Sequence, residues 1–134
     1  VINTAYPIDL NVTEVANGIT IGTPISRLVA ANSGLYNFSV NFQLLSNSAS
    51  AKNAWLWFRK NGADIADSAS VVTLSGNNES KAIGKNDFIS LNATDYVEIM
   101  FAVDNTGLFL DATAATAFAP SAPAVLVAVT QVQQ

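Results

Sequence analysis

The sequence contains no cysteine and no histidine, and these two absences narrow the chemistry open to the chain. Histidine is the side chain that most often serves as a general base and as a metal ligand. Without it, and without a thiolate nucleophile, hydrolases of the Ser-His-Asp and Cys-His types are excluded. The lack of disulfides leaves open the compartment in which the protein works.

Charge is scarce as well: six basic and ten acidic residues give a net charge of −4 over 134 residues. Charged residues make up 12% of the chain, whereas about 25% is usual for soluble proteins. So few basic groups argue against a nucleic-acid partner, because a phosphate backbone requires a positive field. Either neutral polar residues cover the surface, or part of it is buried against another subunit.

Long apolar runs are also missing. No stretch reaches about 18 consecutive apolar residues, so the sequence predicts no membrane insertion. The chain opens at Val1 without a basic region followed by an apolar one, which indicates a processed chain, an excised domain or a partial chain. Half of the residues are hydrophobic, which is enough to bury the core of one domain.

The clearest pattern that is present runs from Leu35 to Leu45, where apolar residues alternate with amides and hydroxyls. A period of two puts the apolar side chains on one face and predicts a half-buried strand. Asn61-Gly62 predicts a tight hairpin. Further strands are predicted at about 54–60, 70–74, 87–91, 96–103 and 124–132, with weaker signals at 19–21 and 25–29.

These seven or eight short strands, separated by turn signals, predict an all-β sandwich or barrel. We divide the chain into an N-terminal arm or first strand at 1–18 and one β domain at 19–134. The stretch 108–123 is rich in Ala and Thr and is predicted to be a long loop. The best helix candidate, 112–119, lacks a cap and is cut short by Pro120.

The outer faces of several strands are apolar where an antiparallel sandwich normally presents polar residues to water. Either these are central strands covered by a loop, or their outer faces meet other copies of the chain. Interfaces are poor in charge and rich in aromatic residues and Met, which favours the second reading. The candidate interface residues are Tyr96, Met100, Leu126, Ala128 and Trp55.

Titratable groups are scattered through the sequence. Most acidic residues lie in or beside predicted turns, where Asp is expected for backbone reasons, rather than in the pairs that glycoside hydrolysis requires. Composition does not exclude a Ser-Lys pair, but no serine and lysine stand in a recognisable setting. The sequence therefore predicts no enzyme, no catalytic residue and no cofactor.

Two further features of the sequence contain residues that could form a binding site. Asp104 to Gly107, followed by Asp111, offers oxygen ligands of the kind that Ca²⁺ prefers, but it lacks the EF-hand spacing, so a plain turn and no metal site are predicted. Trp55 and Trp57 lie mid-strand, where packing is expected rather than stacking on a sugar. Phe109 and Phe118, in the predicted loop, are the candidates for an exposed binding loop.

Four blocks in the sequence resemble, in order, motifs of the C1q/TNF-like jelly-roll superfamily, above all its bacteriophage and bacterial members. They are the Gly-x-Tyr-x-Phe strand at 34–40, the W-x-R-x-N-G hairpin at 57–62 followed by Ser68, the L-x-x-x-D-x-V-x-I stretch at 91–99 and the Pro-led closing strand at 120–127. The first 18 residues and the Ala-rich stretch after Gly107 match no block.

The resemblance implies an antiparallel jelly-roll β-sandwich of ten strands that assembles as a tight homotrimer. In phages such modules form fibre tips, head fibres, decoration proteins or host-adhesion domains. We therefore expect a non-enzymatic virion structural protein on the virion surface, with other virion proteins and a host-surface glycan or receptor as partners. The alternative is a lectin-like carbohydrate- or receptor-binding module, secreted or at a cell surface.

Overall fold

The computed structural model describes residues 3–10, 18–112 and 116–133, and within them the chain is all-β. Eleven strands are found in these ranges, and they form two antiparallel sheets. The strands are β1 (Tyr6–Pro7), β2 (Ile19–Ile21), β3 (Leu28–Ala30), β4 (Gly34–Ser46), β5 (Lys52–Lys60), β6 (Ala63–Asp64), β7 (Ser70–Leu74), β8 (Glu79–Leu91), β9 (Tyr96–Val103), β10 (Leu108–Leu110) and β11 (Val125–Gln133). None of the described residues forms a helix long and apolar enough to cross a membrane.

The seven-stranded sheet is organised around β9, which pairs with β5 along one edge and with β3 and β1 along the other. β2 extends the sheet beyond β3, while β6 and β7 pair with β5. The four-stranded sheet is organised around β4, which pairs with β8 over its whole length and with β11 and β10 on its other edge. The chain therefore crosses repeatedly between the two sheets.

The alternation in β4 explains how the two sheets come together. Tyr36, Phe38, Val40 and Phe42 are all buried and face the seven-stranded sheet, so the predicted strand and its apolar face are confirmed. The Phe38 ring lies 5.9 Å from that of Phe58, measured between ring centroids, and this pair joins the two sheets across the core. The fold is thus a β-sandwich with its core between the sheets.

The predicted hairpin after β5 is present. Asn61 and Gly62 both adopt the left-handed conformation, with φ of 49° and 86°, which a two-residue turn of this kind requires. The Asn61 side chain also donates to Asp95 Oδ1 at 3.0 Å and accepts from the backbone N–H of Tyr96 at 3.0 Å. It therefore ties the β5–β6 turn to the β8–β9 turn.

Two predicted boundaries were wrong. β8 begins at Glu79 rather than near Asp87, because its first half is held by the backbone ladder to β4 and has no apolar alternation of its own. The predicted loop 108–123 starts with a strand, β10, which pairs with the end of β4. Phe109 consequently lies in a strand and not in a loop.

Replacing Phe38 with Ala tests the position of the core. Because the side chain is fully buried and packs on Phe58, we expect the free energy of unfolding to fall by about 3–5 kcal/mol, measured by urea denaturation. Val71→Thr, at an exposed position on the far sheet, serves as the control and should change stability by less than about 0.5 kcal/mol. A loss below about 1 kcal/mol for Phe38→Ala would show that this face of β4 is not in the core.

Candidate interaction surfaces

Among the described residues, no charged side chain lies on the outer face of the four-stranded sheet. We call this surface the neutral face. It consists of the outward residues of three adjacent strands, which the pairing of β4 with β8 and β11 places side by side. Its members are Leu35, Asn37, Ser39, Asn41, Gln43 and Leu45 of β4, Ser80, Ala82, Gly84, Asn86, Phe88 and Ser90 of β8, and Leu126, Ala128 and Thr130 of β11, with exposed Val132 at the register shift that follows them.

Large apolar side chains stand exposed on both edges of the neutral face. Phe88 on β8 is 57% exposed, while Leu126 and Val132 on β11 are 52% and 49% exposed. Between them, Asn37 lies in register with Phe88, and its Oδ1 atom is buried without a hydrogen-bond partner. This face of the chain therefore has exposed apolar surface and one acceptor without a hydrogen-bond partner.

The outer face of the seven-stranded sheet is different, because its aromatic and charged side chains bond to one another. Trp57 Nε1 and Arg59 Nε both donate to Asp64 Oδ1, at 2.8 and 3.1 Å, and these bonds hold the pKa of Asp64 below its ordinary value. The Arg27 guanidinium lies 4.1 Å from the centroid of the Tyr96 ring. Trp57, Arg59 and Asp64 are thus bonded to one another, whereas the Nε atom of Arg27 is buried without a hydrogen-bond partner.

A buried hydrogen bond lies on the same outer face. Ser26 Oγ donates to Glu98 Oε2 at 2.7 Å, and both side chains are almost inaccessible to water. A carboxylate so enclosed needs such a donor, because an unpaired buried charge is strongly destabilising. On this sheet the Asp64 and Glu98 side chains therefore accept hydrogen bonds from neighbouring residues, Arg59 and Ser26.

The five residues predicted as an interface are split between these two opposite faces. Leu126 and Ala128 lie exposed on the neutral face, whereas Trp55, Tyr96 and Met100 lie on the outer face of the other sheet. The sequence reasoning missed Phe88, although its apolar side chain between Asp87 and Ile89 was a signal of a strand apolar on its outer side.

Met100, predicted as an interface residue, lies on the outer face of the seven-stranded sheet but is buried there. Met100 has 0% exposure, and it lies in register between Trp57 of β5 and Pro7 of β1. Because Met100 is fully buried between its neighbours on the adjacent strands, it packs within its own chain. Trp55 and Tyr96, by contrast, are half-buried.

The two phenylalanines predicted for an exposed loop are in different settings. Phe118 is 90% exposed. Phe109, on β10, is half-buried and borders a shallow cavity of about 280 Å³. The cavity is lined by Tyr6, Phe101, Ala102, Val103, Thr106, Leu108 and Phe109.

The Asp104 turn is held by hydrogen bonds to β5. The backbone N–H of Asn53 donates to Asp104 Oδ1 at 2.8 Å, and the Asn53 side chain donates to Oδ2 at 2.9 Å. These two bonds lower the pKa of Asp104 and engage both of its oxygens. Among the described residues, no group of three acidic side chains converges as a metal site would require.

One serine and lysine do come together. Lys85 Nζ donates to Ser70 Oγ at 3.0 Å, at the edge of the sandwich where β7 and β8 approach each other. Burial lowers the pKa of Lys85, and its ammonium lies 5.6 Å from the centroid of the Phe58 ring.

Acidification tests the turn contacts. The pKa of Asp95 is lowered by the backbone N–H of Asn92 and by Asn61, and that of Asp104 by Asn53, so both stabilise the fold fully above pH about 4. That stabilisation is lost as the pH falls through the lowered pKa values that Asp95 and Asp104 have in the folded state. We expect urea midpoints, followed by tryptophan fluorescence, to be level between pH 5 and 7 and to drop towards pH 3.

Asp104→Asn should have a lower urea midpoint than the parent at pH 7, because an amide nitrogen cannot accept from the Asn53 side chain. Its further drop between pH 7 and pH 3 should be smaller than that of the parent. Asp9→Asn, at an exposed position, is the control. An equal acid-induced drop in parent and Asp104→Asn would rule out this role for Asp104.

No protein-family model matches the chain, and no curated protein matches it.

Proposed function

We propose that the chain is a non-enzymatic structural module that assembles as a homotrimer through its neutral face. In this proposal it is a C1q/TNF-like jelly roll at the surface of a bacteriophage virion, where it serves capsid decoration, a fibre tip or host attachment. The observation that carries the proposal is the neutral face itself, free of charge and bordered by exposed Phe88, Leu126 and Val132.

The topology supports the jelly-roll part of the proposal. A jelly roll is a double-sheet sandwich in which the chain passes back and forth between sheets. Here β4, β8, β10 and β11 belong to one sheet and the strands between them to the other, and the last strand returns to pair with β4. The motif blocks at 34–40, 57–62 and 91–99 fall on β4, on the β5–β6 hairpin and on the β8–β9 turn.

The composition of the neutral face supports its burial against other copies. Burying a charge without a partner is costly, whereas amides, hydroxyls and small apolar residues can be buried if their hydrogen bonds are met. The cores of subunit interfaces are correspondingly poor in charge. The charged residues of this sheet, such as Lys81 and Lys85 of β8, lie on its core-side face and not on the neutral face.

The flat area of the neutral face is smaller than one standard interface, so a trimer contact has to include side chains that border the face. Thirteen residues of β4, at about 3.3 Å each, give a length of roughly 40 Å. Three strands spaced by about 4.8 Å give a width of roughly 14 Å, hence a flat area of about 600 Å² before side-chain relief is counted. A standard interface buries about 800 Å² on each partner.

Introducing a charge on the neutral face tests the proposal. We expect the parent to sediment as three chains of 14.1 kDa and Ala128→Glu to sediment as a monomer at the same micromolar concentration. The reason is that the new carboxylate would have to be buried without a partner in each subunit. Light scattering after gel filtration measures the same mass independently.

Val71→Glu is the matched control, because Val71 is 57% exposed on the opposite sheet. It should remain trimeric, and circular dichroism should show both variants folded. A parent that is monomeric at every concentration contradicts the trimer, while a trimeric Ala128→Glu places the contact on another surface.

A further inference from the structure

We propose that Phe118 of one subunit inserts into the cavity bordered by Tyr6, Phe101 and Phe109 of the next. This inference rests on the proposed assembly and adds a specific contact to it. Because the inserting side chain and the cavity are different surfaces, the contact is head-to-tail. Repeated contacts of this type close into a ring when the rotation between subunits allows, and a trimer is such a ring.

Phe118 is presented by a small turn that its own backbone stabilises. The N–H of Thr116 donates to the carbonyl of Ala119 at 2.9 Å, and Thr116 Oγ1 accepts from the N–H of Ala119 at 3.0 Å. The aromatic ring at this turn is 90% exposed, more than any other large exposed apolar side chain among the described residues. A preformed turn lowers the ordering cost of inserting the ring elsewhere.

The cavity has the size and lining to accept a benzyl group. Its volume of about 280 Å³ exceeds the ~150 Å³ that holds benzene in an apolar protein cavity. Tyr6, Phe101 and Phe109 supply aromatic walls. Tyr6 is itself 42% exposed, so apolar surface at the mouth of the cavity also remains in water in the isolated subunit.

Both partners of the contact adjoin the neutral face. Phe109 lies in register with Leu45, a member of that face, so the cavity continues it at one end. The segment that carries Phe118 leaves and rejoins the sheet at Gln43, another member: the N–H of Asp111 donates to the Gln43 carbonyl at 2.9 Å, and the Gln43 N–H donates to the Ala124 carbonyl at 2.8 Å. The cavity and the segment that carries Phe118 are therefore both joined to β4, the central strand of the neutral face.

The first experiment removes each half of the contact in turn. Phe118→Ala deletes the inserting ring, and Thr106→Trp fills the cavity from an exposed lining position. Each variant alone should dissociate at a concentration at least about tenfold higher than the parent, by sedimentation, while Phe118→Leu should stay closer to the parent. Co-expressed, the two variants retain one complementary pair, and native mass spectrometry should detect complexes of one chain of each.

The second experiment does not depend on loss of assembly. Because the chain has no cysteine, Phe118→Cys and Thr106→Cys each introduce a single thiol. Co-expressed and mildly oxidised, the two should form a disulfide-linked heterodimer. Val71→Cys paired with Thr106→Cys is the control and should not.

The outcomes separate this inference from the proposed function. If the parent is a trimer but Phe118→Ala dissociates like the parent and no heterodimer is cross-linked, the Phe118 contact is wrong and the neutral face alone holds the trimer. If Phe118 instead occupies the cavity of its own subunit, neither the mixed complex nor the cross-link forms, which also overturns the inference. A monomeric parent overturns the proposed function itself.

Discussion

The pairing register of β4 is the constraint on which the rest of the structure depends. Its thirteen residues turn one face to the core and the other to the neutral face, and every other strand of its sheet pairs with it directly. A slip of one residue would exchange Phe38 and Val40 for Ser39 and Asn41 across the sheet. The same alternation therefore secures the core and defines the surface that we propose for assembly.

The sequence predicted those elements whose signal is local. Period-two alternation located β4 and β9, and Asn61-Gly62 located the hairpin, because each pattern follows from the geometry of its own segment. The first half of β8 and the short β10 were not predicted, because they form strands by pairing with β4 and have no clear alternation of their own. The sequence also showed that some strands are apolar on both faces. It did not show to which of the two sheets each of these strands belongs, because strand order is not encoded in a local pattern.

The low charge content predicts either a surface of neutral polar residues or a surface buried against another copy of the chain. The neutral face is compatible with both. Its centre is made of amides and hydroxyls, which water solvates well, while Phe88 and Leu126 stand on opposite edges. A face of this kind keeps an unassembled chain hydrated and still leaves no charge to desolvate on contact. On the other sheet, charged side chains form ion pairs with close neighbours, as Arg59 does with Asp64.

The edges of the four-stranded sheet indicate why contact should involve a face rather than strand addition. Among the described strands β8 pairs only with β4, so its other edge presents unpaired backbone groups. Lys81 and Lys85 lie on the core-side face of β8, in register with Leu44 and Val40. Inward-pointing charges on an edge strand disfavour pairing with another strand, since a second sheet layer would bury them. The inward lysines therefore disfavour strand addition at the β8 edge of this sheet.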